Sequence, residues 1–235
     1  MVDPPNSQEV SQWETVIEET RKWVREWNAD QREMVLWILE EEARRKGPLG
    51  EYEKKGLKPY PLLTHNFIKY FIQKDLKDKT LLELGSGLST IFWADHFKEV
   101  YSYEHNSNWI EKLKNEYGIP KNVELNVEDP NTIFKDSKFL DYVKNCDYII
   151  IDNDPKYIPR EFYVKCAIIH KKEDSQIILD NGTWNYDAYM LLLNYFFCRD
   201  FPGINMENQI TVTSLFFERK TEKYKWDFSF NRPPL

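Results

Sequence analysis

Residues 80–94, TLLELGSGLSTIFWA, run an apolar strand straight into two glycines, Gly85 and Gly87, and then into a helix that opens at Ser89 or Thr90. A second strand, Val100 to Tyr103, follows and ends on Glu104, nineteen positions after Gly85. Strand, glycine turn, helix and acid-ended strand is the layout of a nucleotide-type site. Glycines let a backbone approach a ligand, a helix start offers unpaired N–H groups, and a strand-end acid accepts ribose hydroxyls. The plain alternative is a tight strand-to-helix turn in which Glu104 caps the next helix. A dinucleotide turn asks for G-x-G-x-x-G, and Thr90 stands at the third glycine position.

The remaining chain reads as one α/β core with appendages. Helices are expected around Phe67 to Phe71, over Thr90 to Phe97 and over Asn108 to Tyr117, with strands at Val123–Val127, Tyr148–Ile151 and Ile177–Leu179. The last two are continuous apolar runs, as strands buried on both faces of a parallel sheet are. Helices near Glu161–Ile169 and Tyr186–Phe197 alternate with them, and Thr211–Phe217 reads as a late strand of an antiparallel edge hairpin. Ahead of the core, Ser11 and Glu14 form a capping-box pattern, and Trp13, Ile17, Val24 and Trp27 fall on one helical face. A second helix starts at Asp30 and stops at Gly47-Pro48 behind a charged run, which reads as a solvated helix end. Residues 1–61 are thus a helical appendage and loop, 62–220 the core, and 221–235 an aromatic tail. Tyr224, Trp226, Phe228 and Phe230 alternate with polar residues there, as in an extra strand or an arm docking on a partner subunit of a homodimer.

Composition narrows the class. With 41% hydrophobic and 30% charged residues the chain is globular, and no apolar run approaches a membrane span. A formal charge of −7 disfavours nucleic acid as a partner. The first residues carry neither a basic start nor an apolar stretch, so no secretory signal is expected. Cys146, Cys166 and Cys198 lack metal-binding spacing and read as free thiols in a reducing, cytoplasmic compartment.

Glu83, two residues before Gly85, completes an E-L-G-S-G pattern that resembles motif I of the class I S-adenosylmethionine (SAM) methyltransferases. The resemblance spans roughly residues 62–218. It implies a Rossmann-like seven-stranded methyltransferase sheet with helices on both faces and SAM as cofactor. It further implies cofactor contacts from Glu83, Gly85, Ser86, Gly87, Ser89, Thr90 and Asp152, with Glu104 on the ribose and His105 and Asp129 beside the adenosine. A side chain at Gly85 is expected to abolish cofactor binding while leaving a folded protein.

A second constellation lies at the ends of the fourth and fifth strands, where ligands of open α/β sheets sit. The chain reads IIIDNDPK and IILDNGTWN there, bringing Asp152, Asp154, Asp180 and Asn181 to neighbouring strand ends. Two carboxylates and an amide oxygen are hard ligands suited to Mg²⁺ or another divalent cation. Asp152, Asp180 and Asn181, with Trp184-Asn185 following, resemble the cation-dependent O-methyltransferases of the catechol and caffeoyl-CoA type. That resemblance implies a metal that holds an acceptor hydroxyl and lowers its pKa. The family's lysine falls three residues after the first Asp; here that position is Pro155, and Lys156 stands one place later. The alternative for the triad is that Asp180 and Asn181 only cap the following turn.

Asp152, Asp154, His65 and Lys156 are the candidate catalytic residues, His65 as a general base or a helix-start residue. Arg160 is either an anchor for an anionic acceptor or a structural partner of Glu161 or Glu128. The expected activity is methylation of a hydroxyl on a small molecule or sugar. Two other readings stand beside it: a SAM-binding, non-catalytic partner subunit, and an aminopropyltransferase, whose D-x-x-D-P stretch residues 152–155 resemble in shortened form.

Overall fold

The computed structural model describes residues 59–205 and 209–218. The two helices and the loop expected over residues 1–58, and the tail expected over residues 221–235, fall outside the described residues. Within them the order is α1 (His65–Phe71), β1 (Thr80–Leu84), α2 (Leu88–Ala94), β2 (Glu99–Glu104), α3 (Ser107–Tyr117) and β3 (Val123–Val127). A 3-10 turn (Ile133–Lys135) and α4 (Ser137–Asn145) lead to β4 (Tyr148–Ile151), α5 (Arg160–His170), β5 (Gln176–Leu179), α6 (Tyr186–Tyr195), β6 (Phe197–Ile204) and β7 (Ile210–Phe217).

The strands form one seven-stranded sheet in the order β3-β2-β1-β4-β5-β7-β6. The first five are parallel, and β7 runs antiparallel to both β5 and β6. Every residue of β4 is buried, as the unbroken run YIII requires of a strand covered on both faces. Alternation then divides the core. Leu82, Leu84, Ile149, Ile151, Ile177 and Leu179 face Phe139, Val143, Tyr163 and Leu192 of the later helices, while Leu81, Ile150 and Ile178 pack with Phe67, Phe71 and Trp93 of α1 and α2. Trp93 is fully buried, with its ring 5.7 Å from that of Phe71, so truncation to alanine would cost on the order of 3–5 kcal/mol.

Three differences from the sequence reading have local causes. Helix α2 begins at Leu88, not Thr90, because Gly87 is its N-cap: the Gly87 N–H donates to Thr90 Oγ1 at 3.0 Å. It ends at Ala94, and the following turn lets Lys98 N–H reach Lys79 O at 2.9 Å, setting the start of β2. Helix α6 stops at Tyr195, because Phe197–Ile204 pairs along its whole length with β7. Pro202, which has no N–H to give, is tolerated because β6 is the sheet edge. Helix α4, absent from the sequence reading, is capped by Asp136, which accepts the Lys138 N–H at 2.9 Å, and buries Phe139 and Val143 four residues apart. Among the described residues no helix is long and apolar enough to cross a membrane.

Candidate functional site

All five parallel strands carry an acid at or next to their carboxyl ends: Glu128 after β3, Glu104 on β2, Glu83 on β1, Asp152 after β4 and Asp180 after β5. The chain runs outward from β1 to β3 and returns to β4, so the crevice between β1 and β4 is the switch point where open α/β sheets take ligands.

On the β1 side, Glu83 lies beneath the glycine loop, 1% exposed. Ser89 Oγ donates to its Oε1 at 2.6 Å, and Thr90 Oγ1 and Ser102 Oγ donate to its Oε2 at 2.5 and 2.8 Å. Ser86 Oγ lies 2.7 Å from Ser102 Oγ, which extends the cluster. Burial raises the Glu83 carboxyl to about 7; the three hydroxyls oppose the rise and the nearby Asp152 charge adds to it. The side chains of Glu83, Ser86, Ser89 and Thr90, read from sequence as cofactor contacts, thus bond to one another and frame the loop. Trp109, unremarked in the sequence, fixes the loop from above by donating Nε1–H to Ser86 O at 2.8 Å.

Gly85 has φ +96°, and a Cβ there would lie 2.6 Å from Asp152 O and 2.9 Å from Asn153 Cα. The close approach is therefore to the end of β4, so a side chain at Gly85 attacks the fold and not only a ligand. Gly87 differs: its backbone is extended, and only Ser89 atoms lie within 4 Å of where a Cβ would stand. That leaves an open shelf on the loop.

Glu104 Oε1 accepts the Asn106 N–H at 2.8 Å and lies 3.0 Å from His105 Nδ1. Its Oε2 has no hydrogen bond among the described residues. The helix-capping alternative fails, because Asn106 is the residue that caps α3, accepting the N–H groups of Asn108 and Trp109. The His105 ring packs on Tyr157 at 3.7 Å between centroids, which joins the end of β2 to the loop after β4. Asp129 is exposed and closes its own turn on Asn131 and Thr132; the buried acid after β3 is Glu128.

The β4 and β5 side is organised by Arg160, the first residue of α5 and 5% exposed. Its Nη2 donates to Asp152 Oδ1 at 3.0 Å, its Nε to Asn153 O at 2.9 Å and its Nη1 to Asp180 O at 2.5 Å. This corrects the pairing with Glu161 or Glu128 considered above. Thr213 Oγ1 donates to Asp180 Oδ1 at 2.6 Å and itself accepts the Thr64 N–H at 3.0 Å, which ties the start of α1 to this end of the sheet. Thr211 Oγ1 donates to Asn181 Oδ1 at 2.5 Å, and Asn181 takes a left-handed backbone, φ +50°. Burial raises both Asp152 and Asp180; Arg160 opposes the rise, and for Asp180 the Asp152 charge adds to it. His65, buried, follows Thr64 and lies 5.7 Å from the Tyr60 ring. Asp154 and Lys156 are not part of this grouping: both are exposed, and Asp154 Oδ1 only accepts the Lys156 N–H of its own turn at 3.0 Å.

These residues do not fit a divalent cation. One side-chain oxygen each of Asp152, Asp180 and Asn181 accepts a hydrogen bond, from Arg160, Thr213 and Thr211 in turn, a fixed guanidinium charge stands on Asp152, and among the described residues no group of three or more His, Cys, Asp or Glu is placed to hold a metal. The shelf at Gly87 and the open oxygen of Glu104 do fit a ribose-bearing ligand.

No protein-family model matches the chain, and no curated protein matches it in sequence. Solved structures resemble it. The O-methyltransferase TomG from Streptomyces achromogenes, involved in tomaymycin synthesis and solved with SAM, has a TM-score of 0.50 at 15% identity, covering 65% of this chain and 77% of that one. A candidate O-methyltransferase from Klebsiella pneumoniae has a TM-score of 0.50 at 13% identity, covering 92% of each chain. At such identities the likeness is one of architecture, and it agrees with the strand order. The chain has the seven-stranded Rossmann-like methyltransferase fold.

Proposed function

We propose that this protein is a SAM-dependent methyltransferase acting on a hydroxyl of a small molecule or sugar. The observation that carries the reading is Glu104: a buried strand-end carboxylate with one oxygen anchored on Asn106 and the other open, beside the glycine turn at the switch point. A ribose diol would take the open oxygen, the Gly85–Gly87 backbone would run along the methionine part, and His105 with Tyr157 would border the adenine. SAM, when bound, supplies a methyl group made electrophilic by its sulfonium.

The protein's own task is then to hold an acceptor oxygen in line and to remove its proton. Asp152 suits the second role. It lies at the crevice, its side chain is 22% exposed, and burial raises its carboxyl while Arg160 opposes the rise and keeps it oriented. His65, at the start of α1, is the other base candidate.

Transfer of label from methyl-labelled SAM to a panel of sugars and phenols tests the reading. Label recovered in a methyl ether supports it. Binding of SAM with no transfer to any acceptor would favour a non-catalytic subunit, and label on nitrogen would overturn the choice of hydroxyl.

A further inference from the structure

We propose that Arg160 is the resident cation of the β4–β5 end: its guanidinium stands where a divalent metal would bridge these strands, and the site works without one. The donors and acceptors carry the argument. Arg160 meets a carboxylate oxygen of Asp152 and the main-chain oxygens of Asn153 and Asp180, with Ile151 O a further 3.5 Å from Nη1. Carboxylate and carbonyl oxygens converging from two neighbouring strands are the ligand set of a hard cation. Here one planar fork, buried to 5% exposure, collects them through three different nitrogens. A lysine has the charge but not the fork, and could not reach three such acceptors at once.

Two neighbouring side-chain oxygens are held as well. Thr213 and Thr211, both on β7, donate to Asp180 Oδ1 and Asn181 Oδ1, so the cation and β7, which lies between β5 and the edge strand β6, together fix the β5 turn. Arg160 also acts at a distance. It holds the Asp152–Asn153 backbone, and that backbone is what Gly85 touches. Arg160 is therefore a positioning residue for the glycine loop, although it stands on the other side of the crevice. The inference takes the crevice as the cofactor site proposed above, but metal binding is read without any methyl transfer.

The test uses full-length protein. Wild type titrated with Mn²⁺ and followed by water-proton relaxation should show no stoichiometric site into the millimolar range. Arg160→Ala should melt at a lower temperature and regain part of the loss with millimolar guanidinium, while wild type gains nothing. Arg160→Lys, the variant better placed to fold, should melt between the two and bind SAM several-fold more weakly than wild type. Stoichiometric Mn²⁺ binding by wild type that disappears in Asp180→Asn would overturn the proposal, and so would an Arg160→Lys protein with wild-type melting and SAM affinity. SAM titration of wild type separates the two readings: if it fails to bind SAM yet shows the predicted Mn²⁺ and guanidinium behaviour, only the methyltransferase assignment falls.

Discussion

Glu83 and Asp152 sit at the ends of adjacent strands, and the protein holds these two carboxyls by opposite means. Glu83 is surrounded by neutral hydroxyls from Ser89, Thr90 and Ser102. Asp152 is matched with a buried guanidinium. Hydroxyls cannot neutralise a charge, so Glu83 titrates near neutral pH and its proton is part of the loop's framework. Burial raises Asp152 as well, but there a guanidinium opposes the rise and fixes one carboxyl oxygen. One half of the crevice is framed by neutral hydroxyls, and the other by a cation.

The contrast can be broken at several points. The largest effect is expected where the two halves touch. Gly85→Val forces a left-handed backbone and a clash with Asp152 and Asn153, so roughly 4 kcal/mol or more should be lost, and urea unfolding should show it. A variant of normal stability would mean the halves are not in contact there.

Asp152→Ala comes next. It strands a buried guanidinium, and the cost should be about 3 kcal/mol in the same measurement. Glu83→Ala would leave no such charge behind and is the natural control. Glu83 has its own signature in pH. Its folded value of about 7 exceeds the ordinary 4.5, so the folded state holds the extra proton between these values. This contribution is complete below about pH 4.5 and is lost as pH rises to about 7. The loss is roughly 3 kcal/mol at most, and Glu83→Gln should flatten that part of the stability–pH curve. An unchanged curve in Glu83→Gln would place the titration elsewhere.

A smaller effect is expected at Thr213→Val, which removes one hydrogen bond to Asp180 and the acceptor of the Thr64 N–H. About 1–2 kcal/mol should be lost. A neutral result would show that the bonds of Thr64 Oγ1 to Phe201 O and of Asn66 Nδ2 to Pro202 O, with the apolar face of α1, hold this end without Thr213.

The same contrast explains what the sequence made legible. The β1 half is written locally: Ser89 and Thr90 lie six and seven residues from Glu83, and the strand, glycines, helix and Glu104 follow in one continuous stretch. The β5 half is not. Asn181 and Asp180 find their partners thirty and thirty-three residues on, in a β7 strand whose pairing no local pattern reveals. Read without those partners, Asp152, Asp180 and Asn181 look like a vacant set of metal ligands. Arg160 was visible as a cation near the site, but its choice of Asp152 over Glu161 or Glu128 depends on how α5 meets the strand ends. Helix α4 did have a signal, in the Asp136 cap and the spacing of Phe139 and Val143. Strand β6 had little, since its apolar residues continue those of α6 with no turn residue between them.

On the proposed function, the open oxygen of Glu104 receives the ribose of SAM. Isothermal titration of SAM and its demethylated product into wild type and Glu104→Ala measures this directly. Wild type should bind both, and Glu104→Ala should lose at least about tenfold in affinity for each, as expected when charge-assisted hydrogen bonds are removed. Equal affinities in the two proteins, or no binding by wild type, would contradict the account.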